Sequence, residues 1–524
     1  MKLRLPNDIT ILDENNVCIP NKTCSVVLDT VISSDILSLR VTADRIPLCY
    51  IELKWTFTEK ERRDSKSLKI LGDAWERGYG DLEWKCITPD RIMPWYCVVS
   101  NGSDCKRDYS ERFTECFGVK VQPSAFCHWK YSCDELTLTL DIRNGGKGVI
   151  LGGRTLNVAE VVFAEYQEIS SYESVCRFCS LMCTSAILPQ APVFGFNDWY
   201  FSYGNSNEKM ILDSARMLTE RSSEYHNIPY MVIDDGWQIN FNDGPWHIVN
   251  NGFSDMSSIA KKISDMGAKP GIWIRPLQQK SENPDIPSSW RLSSNKEALD
   301  PSNPEVLEYI SDCIKRIVSW GFKLIKYDFV TYDIFLKWGF ECTDSLICGN
   351  CWHFQDTSLT TAEIIINLYR TIRQAATGAI LIGCNAVSHL CAGLVELNRT
   401  GDDTSGKEWE RTLKMGVNTL AFRSPQNKAF YVADADCVGI TDSIPFYLNE
   451  KWLYALSVSG SPMFVSVSAD TSENIKQTVH KALKRNSIQT DCLVPLDWME
   501  TKTPCRWLLN GEEITINWNT INMV

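Results

Sequence analysis

The chain has 524 residues, 44 % of them hydrophobic and 23 % charged, the balance of an ordinary globular protein and not of a disordered one. Its formal net charge of −12 argues against a general nucleic-acid binder or a protein of anionic membranes, and fits a neutral or cationic ligand. At roughly 150 residues per domain the length allows about three domains.

The first eight residues, Met1 to Asp8, lack the apolar run of a secretory signal. The 21 cysteines are odd in number and scattered, which predicts reduced thiols and a cytoplasmic chain. Asn21, Asn101 and Asn398 sit in glycosylation sequons that matter only in a secreted eukaryotic protein.

Residues 1–165 read as a strand-rich domain. Leu136, Leu138, Leu140 and Ile142 alternate with Thr137, Thr139 and Asp141 as a half-buried strand, and Asn144-Gly145-Gly146 supplies a turn. From about 160 to 187 the pattern looks helical, and Leu188-Pro189-Gln190-Ala191-Pro192 closes a linker over 166–192. Two cysteine groups lie in or near such segments: Cys176, Cys179 and Cys183, and Cys342, Cys348 and Cys351. The first has the spacing of a helix face, and the second lacks a matching second pair, so neither predicts a zinc site.

Over 193–488 apolar strands alternate with amphipathic helices. Strands are expected at 193–199, 230–235, 270–275, 322–328, 379–385, 394–399, 417–422 and 463–468, and helices near 207–223, 257–266, 304–319, 360–376, 406–416, 447–457 and 472–485. The helix at 304 has an Asn303 cap, Pro304 in its first turn and Gly321 beyond its end. The uncharged stretch Gly378–Val395 is broken by Asn385, Ser388 and His389, and reads as a buried strand, not a membrane span. Such alternation predicts a multidomain α/β protein around a (β/α)8 TIM barrel, with an N-terminal β-sandwich and a small C-terminal β-domain over 489–524. There, Asn510-Gly511 joins two short apolar runs as a hairpin.

In such a barrel the reactive groups sit at the C-terminal ends of the strands. Those ends carry Asn197-Asp198-Trp199-Tyr200, Asp234-Asp235-Gly236-Trp237, Trp273 with Arg275, Lys326-Tyr327-Asp328, Cys384-Asn385 and Arg399-Thr400-Gly401-Asp402-Asp403. Lys326 and Asp328 are two apart and share one face of a strand, so the ammonium would hold Asp328 ionised. Two carboxyls across a tryptophan-lined mouth are the equipment of a glycosidase. Any one of these aspartates could equally be a helix cap or a loop ion pair, and Asp402, just before the helix near 406, fits that role. Their gathering at one rim is what points to chemistry.

These motifs, with Gly195-Phe196-Asn197-Asp198-Trp199-Tyr200, Gly271-Ile272-Trp273 and, upstream, Gly72-Asp73-Ala74-Trp75 and Tyr79-Gly80-Asp81-Leu82, resemble in content and order the α-galactosidases of glycoside hydrolase family 36. The resemblance spans about 70–488. It implies a retaining α-galactosidase with Asp328 as nucleophile and Asp403 as acid/base, the adjacent Asp402 being the alternative. It further implies that Asp234 and Asp235 bind the 4- and 6-hydroxyls of galactose, that Lys326 and Arg399 hold ring hydroxyls, and that Trp199 and Trp273 line the pocket. Trp75 is the aromatic expected to project from the N-terminal domain, and Tyr200 and Cys384 complete the substrate-binding set. The partner implied is a galactose-containing small molecule or oligosaccharide. No metal or organic cofactor, nucleic acid or membrane is implied, and family members often form homo-oligomers through their β-domains. The same family includes α-N-acetylgalactosaminidases and raffinose-synthase-like transfer enzymes. A sugar-binding barrel without catalysis is the rival of another class, and the presence of both Asp328 and Asp403 speaks against it.

Overall fold

The structure, a computed structural model, describes residues 1–20, 26–63, 65–280, 283–347, 349, 351–488 and 492–519. Asn21 and Cys348 lie outside the described residues. The N-terminal part forms two antiparallel sheets of six and seven strands. In the first, Phe126–Tyr131 pairs with Glu135–Asp141, which pairs in turn with Tyr50–Thr56. Alternation along these strands sends one set of side chains toward the second sheet. Trp55 and Trp129 of the first sheet meet Phe163 of the second at ring-centroid distances of 5.3 and 6.1 Å.

The segment beginning near 160 is not helical from its start. Val161, Val162 and Phe163 belong to the strand Thr155–Gln167, where β-branched and aromatic side chains pair with Phe117–Val119. The helix starts at Ser171, once the Ser170 hydroxyl can accept the Glu173 N–H at 3.1 Å. Cys179 and Cys183 are buried core residues, with Cys176 packed at their edge. Among the described residues no cluster of His, Cys, Asp and Glu could hold a metal, and no helix is long and apolar enough to cross a membrane.

Beyond residue 192 lies a curled, all-parallel sheet of nine strands. In chain order these are β1 (Phe194–Asn197), β2 (Tyr230–Ile233), β3 (Lys269–Ile274), β4 (Leu324–Tyr327), β5 (Ile380–Gly383), β6 (Leu397–Arg399), β7 (Val432–Asp434), β8 (Val438–Ile440) and β9 (Met463–Val467). Their spatial order is β7-β6-β5-β4-β3-β2-β1-β9-β8. The two end strands are consecutive in the chain, separated only by Ala435-Asp436-Cys437. Gly195 makes the start of the sheet possible. Its φ is +151°, and a Cβ there would lie 1.9 Å from the Tyr230 carbonyl oxygen.

The seventh strand is therefore not at 417–422. That apolar run forms the helix Asn418–Phe422, continuing a π-helical turn at Thr412–Val417. A short apolar run buried on all sides carries no period that separates helix from strand. The helix Pro304–Ser319 has its expected bounds, with Asn303 Oδ1 accepting the Glu305 N–H at 2.9 Å and Gly321 at φ +103° past its end.

Side chains of the parallel strands sort into two packed groups. Met231, Ile233, Ile325, Tyr327 and Leu381 join the large core beneath the helices. Val232, Leu324, Ile382, Leu397, Val432 and Phe464 form a separate cluster inside the curl. Parity then turns Asp234, Lys326, Asp328, Cys384, Arg399 and Asp434 inward as well, one step toward the C-terminal rim. A three-stranded antiparallel sheet ends the described chain, its hairpin pairing Arg506–Leu509 with Glu512–Thr515. The indole of nearby Trp498 donates to Asp104 at 3.0 Å, tying this region to the N-terminal sheets.

Candidate active site

The rim is built from strand ends. Asp328, immediately after β4, is 8 % exposed. Its Oδ2 accepts the Trp273 indole N–H from the adjacent strand β3 at 3.0 Å, and its Oδ1 accepts the Phe329 backbone N–H at 2.7 Å. The carboxylate is thereby fixed by two donors, one on each oxygen. Lys326 does not pair with it directly. Its ammonium crosses over β3 to Asp234 Oδ2 at 2.8 Å. Burial opposes that charge, but Asp234 and, more weakly, Asp328 keep the lysine protonated, well above its ordinary value.

Asp234 is held from several directions. The Asn197 amide donates to its Oδ2 at 2.6 Å, and Asp234 Oδ1 accepts the Asp235 N–H at 3.0 Å. Asp198, fully buried, accepts the Asp234 backbone N–H at 2.7 Å. Burial pushes its carboxyl up to about 7, with the Asp234 charge adding to the rise. Asp235 accepts from the Gln238 amide and from the Asn242 N–H at 3.1 Å, and burial pushes it up to about 6.

Asp402 and Asp403 are told apart by their partners. Asp402 is clamped by Arg77 at 2.7 Å and Arg411 at 2.9 Å. Asp403 has a side chain 42 % exposed and one ion pair, to Arg399 at 3.2 Å. Desolvation works to raise its carboxyl, but Arg399, then Arg77, Lys326 and Arg411, outweigh it and hold Asp403 below the ordinary carboxylate range. Asp234 and Asp328 follow the ends of β2 and β4 directly, and Asp403 lies in the loop that leaves β6, so all three stand at the C-terminal rim of the sheet.

The structure brings together Asp328, Asp403, Asp234, Asp235, Trp273, Lys326, Cys384 and Arg399. Cys384 faces Asp328, Arg399, Lys326 and Arg77, and burial keeps its thiol protonated, well above its ordinary value. Trp199, two residues after β1, is half-buried beside Tyr203 at 5.7 Å and packs against the cluster inside the curl. Tyr200 is buried below it and donates its hydroxyl to Asp436. Trp75 is not among the rim residues. It is 4 % exposed within the aromatic core of the N-terminal sheets, against Trp95 at 5.8 Å and Phe126 at 6.2 Å.

What reaches the rim from that region is the neighbouring segment. Gly78 donates its N–H to Thr400 O at 2.8 Å and accepts the Asp402 N–H at 2.9 Å, a parallel bridge to Gly401. A Cβ on Gly401 would lie 2.2 Å from the Met415 carbonyl oxygen, so glycine is required where this segment packs on the helical turn Thr412–Val417. Glu76 and Arg77 were not singled out in the sequence because they fall between the two upstream motifs. Asp434 and Asp436 were hidden by the misplaced seventh strand. Asp436, at φ +78°, accepts from Tyr200, from the Thr404 N–H at 2.7 Å and Thr404 hydroxyl at 2.8 Å, and pairs with Arg399. The alternation Val432-Ala433-Asp434-Ala435-Asp436 was the available signal.

A curled parallel sheet joined to N-terminal antiparallel sheets is a fold shared with solved α-galactosidases. An α-galactosidase from Thermus thermophilus in complex with p-nitrophenyl α-D-galactopyranoside matches with a TM-score of 0.61 at 16 % identity, over 97 % of this chain and 99 % of that one. A family 36 α-galactosidase from Geobacillus stearothermophilus in complex with 1-deoxygalactonojirimycin matches with a TM-score of 0.63 at 13 % identity, over 97 % and 79 % of the two chains. An α-galactosidase from Lactobacillus brevis gives 0.61 at 12 % identity, over 94 % and 75 %. No protein-family profile matches the sequence.

Proposed function

We propose that this protein is a retaining α-galactosidase, cleaving terminal α-linked galactose through a covalent glycosyl-enzyme. The observation that carries the reading is Asp328, inward-facing and fixed by two N–H donors beside a Lys326–Asp234 pair, on the same rim as a half-exposed Asp403 paired with Arg399. Structural neighbours crystallised with stachyose and raffinose support a sugar ligand of this type.

In this scheme Asp328 attacks the anomeric carbon, and the glycosidic bond breaks with its electron pair going to the leaving oxygen, which takes a proton from Asp403. Water then gives a proton to Asp403 and attacks the same carbon, releasing Asp328 and an α-configured galactose. Asp234, Asp235, Lys326 and Arg399 take the sugar hydroxyls, and Trp199 and Trp273 its apolar face. Asp402, saturated by two arginines, is structural.

The same reading takes β7 and β8 as one strand interrupted at Asp436, so that the sheet closes as an eight-unit barrel over 193–488. The facing antiparallel sheets of 1–165 form a β-sandwich, 166–192 link the two, and 489–524 form a C-terminal β-domain. The same reading expects a reducing compartment, the cytoplasm, from the 21 cysteines scattered along the chain. Asn398 is fully buried, and a side chain so placed cannot carry a glycan in the folded protein.

Assay of an aryl α-galactoside, α-N-acetylgalactosaminide and α-glucoside, with the first-formed anomer followed by NMR, tests the proposal. Cleavage of the galactoside with α-galactose appearing first is expected. An inverted product, or preference for either other glycoside, would contradict it.

A further inference from the structure

The residue that follows the candidate nucleophile has an unusual backbone. Phe329 lies in the left-handed region at φ +60° and ψ +8°, where glycine is the unstrained choice and an aromatic residue is disfavoured. The same conformation aims its N–H at Asp328 Oδ1, 2.7 Å away. Relaxing Phe329 to negative φ would turn the peptide plane between Asp328 and Phe329 and carry that N–H off the carboxylate. A strained residue of this kind persists only where its surroundings over-determine it, so the half-buried Phe329 ring has to be gripped.

The grip comes from the neighbouring strand. The Arg275 guanidinium, just past the end of β3, lies 4.2 Å from the centre of the Phe329 ring. Asp333, on the helix Val330–Phe335, accepts Arg275 Nε on both oxygens at 3.0 and 3.1 Å and takes Nη2 as well. Nη1 donates to the Asn242 carbonyl at 3.4 Å. The hydrogen bonds of Arg275 thus go to Asp333 and Asn242, and the contact that leads to Asp328 is the one with the Phe329 ring. Asp333 is fully buried, and burial pushes its carboxyl up to about 6 even with the cation against it. An ion pair so deeply buried is a poor device for stability alone.

We infer that Arg275, locked by Asp333, is a positioning residue for the nucleophile: it holds Phe329 in the left-handed conformation and so keeps the second N–H donor on Asp328. The role of Asp328 rests on the galactosidase reading above. Strand β3 then serves both carboxylate oxygens, Trp273 directly and Arg275 through Phe329.

Arg275→Met alone strands the Asp333 carboxylate, so the test combines it with Asp333→Asn, which removes both charges. On an aryl α-galactoside, kcat/KM should fall about tenfold or more while the dissociation constant for galactose stays within about twofold. In protein labelled with 15N-phenylalanine, the Phe329 amide, identified by its absence from Phe329→Leu, should move upfield as its hydrogen bond is lost. Phe329→Gly adopts the left-handed conformation unaided, so in that background the same two substitutions should cost less than about threefold. Galactose affinity falling in step with kcat/KM, an unmoved Phe329 amide, or an undiminished loss in the Phe329→Gly background overturns the inference. A wild type that cleaves no α-galactoside while the amide still shifts overturns the galactosidase reading and leaves the grip of Arg275 on Phe329 standing.

Discussion

The Lys326 ammonium reaches over β3 to Asp234 at 2.8 Å, so that the cation beside the candidate nucleophile is anchored two strands away. Both side chains are nearly inaccessible, 10 % and 3 % exposed, and a charge stripped of its partner there is costly. Lys326→Met leaves Asp234 with N–H donors but no cation. It should lower stability by about 3 kcal/mol and raise KM for an α-galactoside about tenfold or more. Adding Asp234→Asn should recover much of the stability and none of the activity. Additive losses in denaturant titrations of the single and double variants would show that the pair is not coupled.

The division of labour between Asp402 and Asp403 is open to a leaving-group test. Asp403→Ala should lose roughly 100-fold or more on an α-galactosyl disaccharide and far less on a nitrophenyl galactoside, whose leaving group needs no proton. Asp402→Ala frees Arg77 and Arg411 and should lower the melting temperature without that leaving-group signature. The reverse pattern would move the acid/base role to Asp402.

Asp403 must be protonated to act as the acid in the first step, yet four cations hold its carboxyl below the ordinary range in the free protein. Activity therefore falls as pH rises through that low value, giving an acidic optimum for kcat/KM. Removing one positive charge favours the neutral carboxyl and moves the falling limb to higher pH. Arg411→Gln should shift it upward by about half a pH unit. A downward shift would contradict the assignment.

Asp198 makes the opposite prediction, on stability. Burial raises its carboxyl to about 7 in the folded chain, above the value near 4 of an unfolded aspartate. The folded state thus binds the proton more tightly, and stability is lost as pH rises from about 4 to about 7. Asp198→Asn keeps an acceptor for the Asp234 N–H but carries no charge. It should flatten that loss, by on the order of 2 kcal/mol, in urea titrations across this range. An unchanged pH slope would show that Asp198 titrates elsewhere.

Much of this was legible in the residues. Lys326-Tyr327-Asp328 announces its geometry, since the two-residue strand period puts the lysine and the aspartate on one side whatever the neighbours do. Helix Pro304–Ser319 was readable from Asn303, Pro304 and Gly321, because caps act locally. The seventh strand was not. Its two short pieces are broken by Asp436 at φ +78°, which turns both Asp436 and Cys437 inward and destroys the alternation, while the apolar run at 417–422 imitates a strand. Trp75 shows a different limit. Its motif lies beside the rim-forming segment, but which of two side chains two residues apart enters the site and which enters the core depends on packing between units, and here Arg77 takes the site and Trp75 the core.

The central claim is that Asp328 becomes covalently attached to galactose. It is tested most directly by incubating the protein with a 2,2-difluoro-α-galactoside bearing a good leaving group and mapping the trapped adduct by peptide mass spectrometry. The account predicts time-dependent inactivation with the fluorinated sugar on Asp328, absent in Asp328→Asn. An adduct on another carboxylate, or turnover of the parent galactoside to β-galactose with no adduct, would contradict it.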